Sequence, residues 1–251
     1  MSKQKVRKLV QIISLLLFPI TLFYFSPALI INAGMEGVIN GSFIVFTALF
    51  LSGVFFGRLF CAYVCPAGAL QECVFPVNDN PPKQGRLNYI KYGIWAVWMT
   101  AVILSYVHHG GIFKIDFFYM TEHGISVSNI FGFIIYYGII LLILLPALIG
   151  GKRAFCHYFC WMAPFMVLGT KIRKMLHLPG LRIVANRGKC VSCHQCDKVC
   201  PMSVDVSRMV QQGEVHSAEC IQCGACVDNC AQKALKYSMR KSHSSASCVK
   251  G

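Results

Sequence analysis

Acidic residues are scarce in this chain: ten Asp and Glu stand against 24 Lys and Arg among 251 residues, a formal charge of +14. No glycine-rich run has the pattern of a phosphate-binding loop or a dinucleotide site, which removes hydride chemistry at a nucleotide or flavin pocket from the expected functions. Charged residues of either sign make up only 14% of the chain, whereas 55% is hydrophobic and the mean hydropathy is +0.55. A soluble domain rarely carries that balance. Several apolar stretches approach the roughly 20 residues that cross a bilayer, and the positive excess suits membrane topology and anionic lipid without requiring nucleic acid. Thiols, by contrast, are abundant, with 14 cysteines. Most of them fall into ligand spacing rather than a disulfide framework, and such spacing needs a reducing compartment.

The stretch from 190 to 230 holds two runs of one pattern. Cys190-Val-Ser-Cys193-His-Gln-Cys196-Asp-Lys-Val-Cys200-Pro201 is followed by Cys220-Ile-Gln-Cys223-Gly-Ala-Cys226-Val-Asp-Asn-Cys230-Ala231. Three closely spaced thiolates hold one iron–sulfur cluster and the fourth reaches across to the other. The spacing therefore assigns Cys190, Cys193, Cys196 and Cys230 to one 4Fe-4S cluster, and Cys220, Cys223, Cys226 and Cys200 to a second. Zinc also uses Cys-x-x-Cys pairs, but it accounts poorly for two four-cysteine runs in tandem. Here the chain resembles the two-cluster bacterial ferredoxins, with Ala231 where the first run has Pro201.

Four apolar segments precede these runs: 9 to 31, broken at Pro19 and Pro27, then about 41 to 60, 89 to 107, and 130 to 149. Lys and Arg gather at the N-terminus, in the second loop and after the fourth segment, and are scarce in the other two loops. The positive-inside rule then predicts four spans with both termini and the cluster domain in the cytoplasm. Tyr92, Trp95 and Trp98 suit an aromatic belt at the inner interface. His108, His109, Asp116, Glu122 and His123 lie in the third loop, either as solvated loop groups or as acceptors of protons released by a quinol. His108 or His109 is also an option for ligating a haem. Residues 161 to 185 read as a basic amphipathic linker on the membrane surface, and 240 to 251 as a disordered tail.

Two passages at the ends of the second and fourth segments align without gaps. Arg58-Leu-Phe60-Cys61-Ala-Tyr63-Val-Cys65 matches Arg153-Ala-Phe155-Cys156-His-Tyr158-Phe-Cys160 at Arg, Phe, Cys, Tyr and Cys. The bundle is therefore expected to be two tandem helical hairpins. Cysteines four apart share one helical face, so each hairpin offers a thiol pair, with Arg58 and Arg153 placed to offset thiolate charge. The set Cys61, Cys65, Cys156 and Cys160 is open to three readings: a third iron–sulfur or metal centre, a redox dithiol or copper site, or packing cysteines. Cys73 and Cys248 have no spaced partners.

With this repeat, the chain resembles the polyferredoxin-like membrane proteins of the NapH type, the quinol dehydrogenase components associated with periplasmic nitrate reductase. The membrane domain of nitrous-oxide reductase accessory proteins is similar. The family pattern has Pro after each Cys-x-x-x-Cys; Pro66 matches, whereas Trp161 stands at the second place and Pro164 follows three residues on. The expected architecture is thus a membrane α-helical domain of four spans over 1 to 160, the linker, and a small α+β two-cluster ferredoxin domain over 186 to 239. The resemblance implies an electron-transfer subunit of the bacterial or archaeal cytoplasmic membrane, exchanging electrons with quinone and with a periplasmic iron–sulfur or haem protein that feeds a terminal reductase. The alternative is an accessory donor for metalloenzyme maturation, or a copper or thiol reductase.

Overall fold

The structure, a computed structural model, describes residues 3 to 83 and 85 to 240. The tail expected from 240 onward, with Cys248, lies outside the described residues apart from the backbone of its first residue.

The helical part runs α1 (Lys3–Leu16), α2 (Phe18–Thr21), α3 (Pro27–Met35), β1 (Val38–Asn40), α4 (Gly41–Phe56), α5 (Leu59–Tyr63), α6 (Pro66–Glu72), α7 (Ile90–His109), β2 (Lys114–Asp116), α8 (Ile130–Gly150), α9 (Ala154–Tyr158) and α10 (Ala163–Met175). Two helical stretches are long and apolar enough to cross a membrane: Arg86–His109, with mean hydropathy 1.4, and Ile130–Gly150, with 2.5. Lys3–Leu16 and Phe18–Phe25 reach that standard together but are bent by 61°, as a broken span or a re-entrant loop would be. Pro19 and Pro27 open new helical turns there, since proline lacks the N–H that would continue the helix before it. The segment expected from 41 to 60 forms a 16-residue apolar helix, α4, and then turns at Gly57.

The two helices that correspond in the repeat, α4 and α8, begin and end alike. Asn40 Oδ1 accepts the Phe43 N–H at 3.0 Å to cap α4, and Asn129 Oδ1 accepts the Gly132 N–H at 2.8 Å to cap α8. Gly57 and Gly151, both with positive φ, close them. Arg153 lies 95 residues after Arg58, and that offset carries α4 onto α8 and α6 onto α10. Packing is exchanged between the halves, with α4 against α10 and α8 against α6. Gly53 and Gly169 allow the α4 and α10 backbones to approach, since a Cβ on Gly169 would sit 2.7 Å from the Phe50 carbonyl oxygen. At the far end, β1 pairs in parallel with β2, Val38 opposite Lys114.

The cluster domain comprises β3 (Gly180–Ala185), α11 (Gln195–Lys198), α12 (Val206–Val210), β4 (Glu214–Val215), α13 (Ala225–Asp228) and β5 (Leu235–Arg240). Its antiparallel sheet has the order β4-β3-β5, with Ile183 opposite Val215 and Tyr237. The stretch 161 to 185 is therefore not a plain surface linker. Ala163, Met166, Val167 and Gly169 of α10 are buried, and α10 packs along α4, while 180 to 185 supply the central strand. Burying that strand's Ile183 on the cluster core outweighs any gain from leaving it on a lipid surface. Trp98 also departs from the aromatic belt: it is 9% exposed, and its Nε1–H donates to the Pro27 carbonyl at 3.0 Å. Trp95 packs edge-on against Phe165 of α10, centroids 5.6 Å apart.

Candidate iron–sulfur and membrane-face site

The cluster domain is itself a duplication at an offset of 30 residues, with α11 matched by α13. Ser192 and Gln222 both have positive φ, as do His194 and Gly224, and Ser203 and Lys233. A left-handed residue costs most side chains about 1 kcal/mol or more, so five of them, with Gly224 completing the three pairs, indicate a loop shape imposed by what it encloses. Cys200, Cys220, Cys223 and Cys226 line one small cavity with apolar walls that include Ile183, Met202 and Ile221. These four are the residues that the spacing groups together. Ala234 N–H donates to Cys230 Sγ at 3.3 Å, the kind of bond that stabilises a thiolate. Burial pushes the Cys220 thiol up to about 12 and Cys196 up to about 11, so four thiolates together here call for added positive charge.

Among the described residues, no three His, Cys, Asp or Glu side chains stand close enough to hold a single metal ion. The cavity lined by four thiols suits a cluster held by four thiolates. Residues 190 to 194 also spell the Cys-x-x-Cys-His order of covalent haem attachment. Here His194 Nδ1 instead faces Asp197 Oδ2 at 3.1 Å, and both thiols belong to a run with a duplicate 30 residues on.

Cys61, Cys65, Cys156 and Cys160 are all buried in the core where the two halves meet. The Cys65 thiol is raised by burial and then by Cys61, Cys156 and Cys160, so the four lie within electrostatic reach of one another. Burial pushes Cys160 up to about 12, with Cys156 and Cys61 adding to it and Arg58 opposing. The offset of 95 residues relates two cross-contacts as well. Gln71 Nε2–H donates to Cys156 Sγ at 3.1 Å, and Met166 Sδ, at the matching position, lies 3.9 Å from Cys61 Sγ.

Arg58 and Arg153 flank the thiols, and each is tied to a carboxylate that motif reading leaves out. Glu72 accepts from Arg7 at 3.0 and 2.8 Å and pairs with Arg153, whose other amino group donates to the Cys61 carbonyl at 3.0 Å. Burial would raise the Glu72 carboxyl, but Arg153 and Arg7 hold it below the usual carboxylate range. Glu219, next to Cys220, pairs with Arg58 at 3.3 Å and with Lys91, and faces His157 Nδ1 at 3.8 Å. His157 Nε2 lies 3.2 Å from the Met202 carbonyl, and burial depresses its pKa to about 4, leaving it neutral. Gln4 Nε2–H donates to the Cys223 carbonyl at 3.1 Å. The loops carrying Cys200, Cys220 and Cys223 thus seat on Gln4, Arg58 and His157, the last two of which adjoin the two Cys-x-x-x-Cys pairs. The other loop looks outward, with Cys193 exposed and Cys190 half-buried.

The third-loop group is not brought to this site. His109 packs on Phe113, centroids 5.4 Å apart, at the opposite end of α7 from Lys91. Cys73 is exposed and unpartnered by the thiol set.

Fold and thiol arrangement define an iron–sulfur protein of the ferredoxin type, joined to apolar helices. A family model described as a 4Fe-4S binding domain matches residues 40 to 83, which include Cys61 and Cys65. A second, a 4Fe-4S dicluster domain, matches 154 to 246, which include Cys156, Cys160 and all eight ferredoxin cysteines. The chain is 27% identical over 193 residues to the uncharacterized protein MJ0750 of Methanocaldococcus jannaschii, covering 72% of each. It is 26% identical over 197 residues to the ferredoxin-type protein NapH of Haemophilus influenzae, 74% of this chain and 64% of that one. Against the putative electron transport protein YccM of Escherichia coli, identity is 23% over 231 residues, 84% of this chain and 60% of the relative. The chain thus spans less than two thirds of the length of the NapH and YccM relatives. No solved structure matches it. Together these matches support an iron–sulfur electron-transfer protein similar to the NapH and YccM proteins.

Proposed function

We propose that the chain is an integral membrane electron relay. The bent α1 to α3 segment, α4, α7 and α8 form four spans as two tandem hairpins, with the ferredoxin domain and both termini in the cytoplasm. The outward apolar side chains of α8, among them Ile130, Phe131, Ile134 and Tyr137, support lipid contact. Cys190, Cys193, Cys196 and Cys230 hold one 4Fe-4S cluster; Cys220, Cys223, Cys226 and Cys200 hold the other. Cys61, Cys65, Cys156 and Cys160 hold a third redox centre. The observation that supports this reading is the burial of those four thiols in one core, with His157, next to Cys156, bonded to the Met202 carbonyl of the Cys200 loop. Bound clusters supply one-electron chemistry at these places, and the chain's residues fix their order and surroundings.

A cavity of about 310 Å3 between α4, α7 and α10 supports exchange with quinone. It is lined by Phe43, Phe46, Trp95, Trp98 and Phe165 among others, and the buried Trp95 Nε1–H has no partner within the protein. An aromatic ring bearing a carbonyl fits such a slot. Phe165 adjoins Met166, which touches Cys61. By the NapH likeness, the further partners are a periplasmic iron–sulfur or haem protein and a terminal reductase.

Iron and acid-labile sulfide per chain test the third centre, in anaerobically purified wild type and in a variant with Cys61, Cys65, Cys156 and Cys160 changed to Ala. More than about eight irons in the wild type, falling to that number in the variant with loss of an EPR signal, is the expected result. About eight in both would refute it. Added quinol should also reduce the clusters in membranes within a catalytic turnover. A second reading, transient copper binding or thiol reduction in metalloenzyme maturation, is favoured by the soft Met166 sulfur beside Cys61, since thiolate and thioether donors select Cu(I). Copper bound in place of iron, and lost in the same variant, would decide for it.

A further inference from the structure

A groove of about 630 Å3 opens beside Cys190 and Cys230, between the turn after β3, the turn before β4 and the start of β5. Arg187, Lys189, Lys233 and Lys236 line it and are all exposed, Gln211 and Gln212 add polar groups, and no carboxylate lines it. The wall is joined to the outer thiol loop. Lys189 precedes Cys190, Lys233 N–H donates to the Cys230 carbonyl at 3.0 Å, and Ala234 N–H donates to Cys230 Sγ.

Position separates this patch from the bilayer. β3 starts at Gly180, where a Cβ would meet the Phe55 carbonyl of α4 at 2.9 Å. It runs away from the bundle to Ala185 at the groove, a strand of roughly 17 to 20 Å. That is about two Debye lengths at physiological salt, so anionic headgroups at the bundle do not account for four unopposed cations there. Two basic side chains nearer the helices are neutralised: Arg182 pairs with Glu214 at 3.2 Å and Arg58 with Glu219 at 3.3 Å.

We propose that this groove is the docking surface for an acidic, soluble one-electron carrier protein. Unpaired like charges around a half-exposed redox loop steer an oppositely charged partner and fix its orientation. One electron passes between docked carrier and protein, one partner oxidised and the other reduced, with no bond made or broken. The inference rests on the assignment of Cys190, Cys193, Cys196 and Cys230 to the outer cluster, and goes beyond it by giving the relay a soluble cytoplasmic port besides the membrane one.

Binding of oxidised flavodoxin, a small acidic carrier, to the full chain in detergent tests it, with the basic protein cytochrome c as the opposite-charge control. Flavodoxin is expected to bind at low ionic strength and cytochrome c not to bind. The flavodoxin Kd should rise roughly tenfold or more in R187Q/K236Q, and should rise with salt in the wild type, a measurement that needs no variant. Electron transfer from reduced flavodoxin should slow in parallel, while reduction by the small cation methyl viologen does not slow. Flavodoxin binding insensitive to salt and to R187Q/K236Q would overturn the proposal. So would equal slowing with both reductants, or a variant that loses only binding to anionic lipid vesicles. The EPR signals of the two ferredoxin clusters, read on the same samples, report separately on the ligand assignment.

Discussion

Glu72 is the carboxylate on which the junction of the two Cys-x-x-x-Cys repeats depends. It answers two guanidinium groups: Arg153, whose side chain is 0% exposed, and Arg7, at 6%. Changing Glu72 to Gln leaves Arg153 buried with its charge uncompensated, and its Nε already lacks a partner. Breaking a buried pair from one side costs roughly 3 to 5 kcal/mol. For a chain of this size about 1 kcal/mol moves the midpoint by roughly 2 to 4 °C, so the expected loss is roughly 6 to 20 °C. Lys152 and Asp79 give the internal control, because they also pair, at 2.8 Å, but Asp79 is 67% exposed; Asp79→Asn should cost at most about 1 kcal/mol. Thermal unfolding of purified protein, followed by tryptophan fluorescence and by bleaching of iron–sulfur absorbance, compares the two. E72Q/R153M should recover part of the loss, since it removes the orphaned cation. The pH dependence has a definite sign. Arg153 and Arg7 hold the folded carboxyl below its ordinary value of 4.5, so the contribution is complete above about that pH and is lost as pH falls through the depressed value. E72Q should lack this component. An E72Q midpoint within about 2 °C of D79N, or an unchanged acid limb, would refute the electrostatic reasoning.

Asn40→Ala and Asn129→Ala remove matching caps of α4 and α8, and each should cost about 1 kcal/mol by thermal midpoint, the pair adding because the sites are separate. Gly151→Ala should impair folding more, because φ is 91° and a Cβ would lie 2.2 Å from the Asn80 carbonyl oxygen; size-exclusion profiles of the expressed protein check it, against a neutral Gly138→Ala, where nothing lies nearby. Lys91→Met deprives Glu219 of one of its cations and loosens the seat of the cluster domain; hydrogen exchange in 214 to 223 should rise while exchange in α8 stays unchanged.

What is legible in the sequence is what repeats. Duplicated cysteine runs and the two Cys-x-x-x-Cys passages carry their own internal control, and the apolar run from 130 to 149 forms a helix long and apolar enough to cross a membrane. What escapes is whatever depends on contacts between distant positions. Glu72 and Glu219 stand in no motif, yet they meet Arg153 and Lys91, 81 and 128 residues away; the signal available was the scarcity of acids beside so many cations. β3 hides within 161 to 185 because Gly180–Ala185 is a short apolar run, and such runs have no period that distinguishes strand from linker. Trp95 and Trp98 lie in the first half of α7, but position along a helix does not reveal which way a ring points, and Phe165 of α10, packed against both, decides it. Residues 190 to 194 satisfy a haem sequence and a ferredoxin sequence at once, and only the wider duplication separates them.

The repeat copies the four membrane-face thiols but not their surroundings, and the differences fall at matching positions. Where Gln71 gives Cys156 an amide hydrogen bond, Met166 gives Cys61 a thioether contact. The first Cys pair runs into Pro66 at the start of α6. Behind the second, Trp161 Nε1–H donates to the Phe25 carbonyl at 3.2 Å, and Pro164 takes over the first turn of α10. Helix initiation is thus retained while one turn gains a tie to the 22 to 25 segment. Hydrogen bonds to sulfur favour extra negative charge on that sulfur, so the half carrying Cys156 is the better stabilised for it and the half carrying Cys61 is the softer. A fully symmetric cage would have no such preference. In the relay proposed above, duplication supplies the set of four thiols, and divergence at Gln71, Met166 and Trp161 makes its two halves unlike.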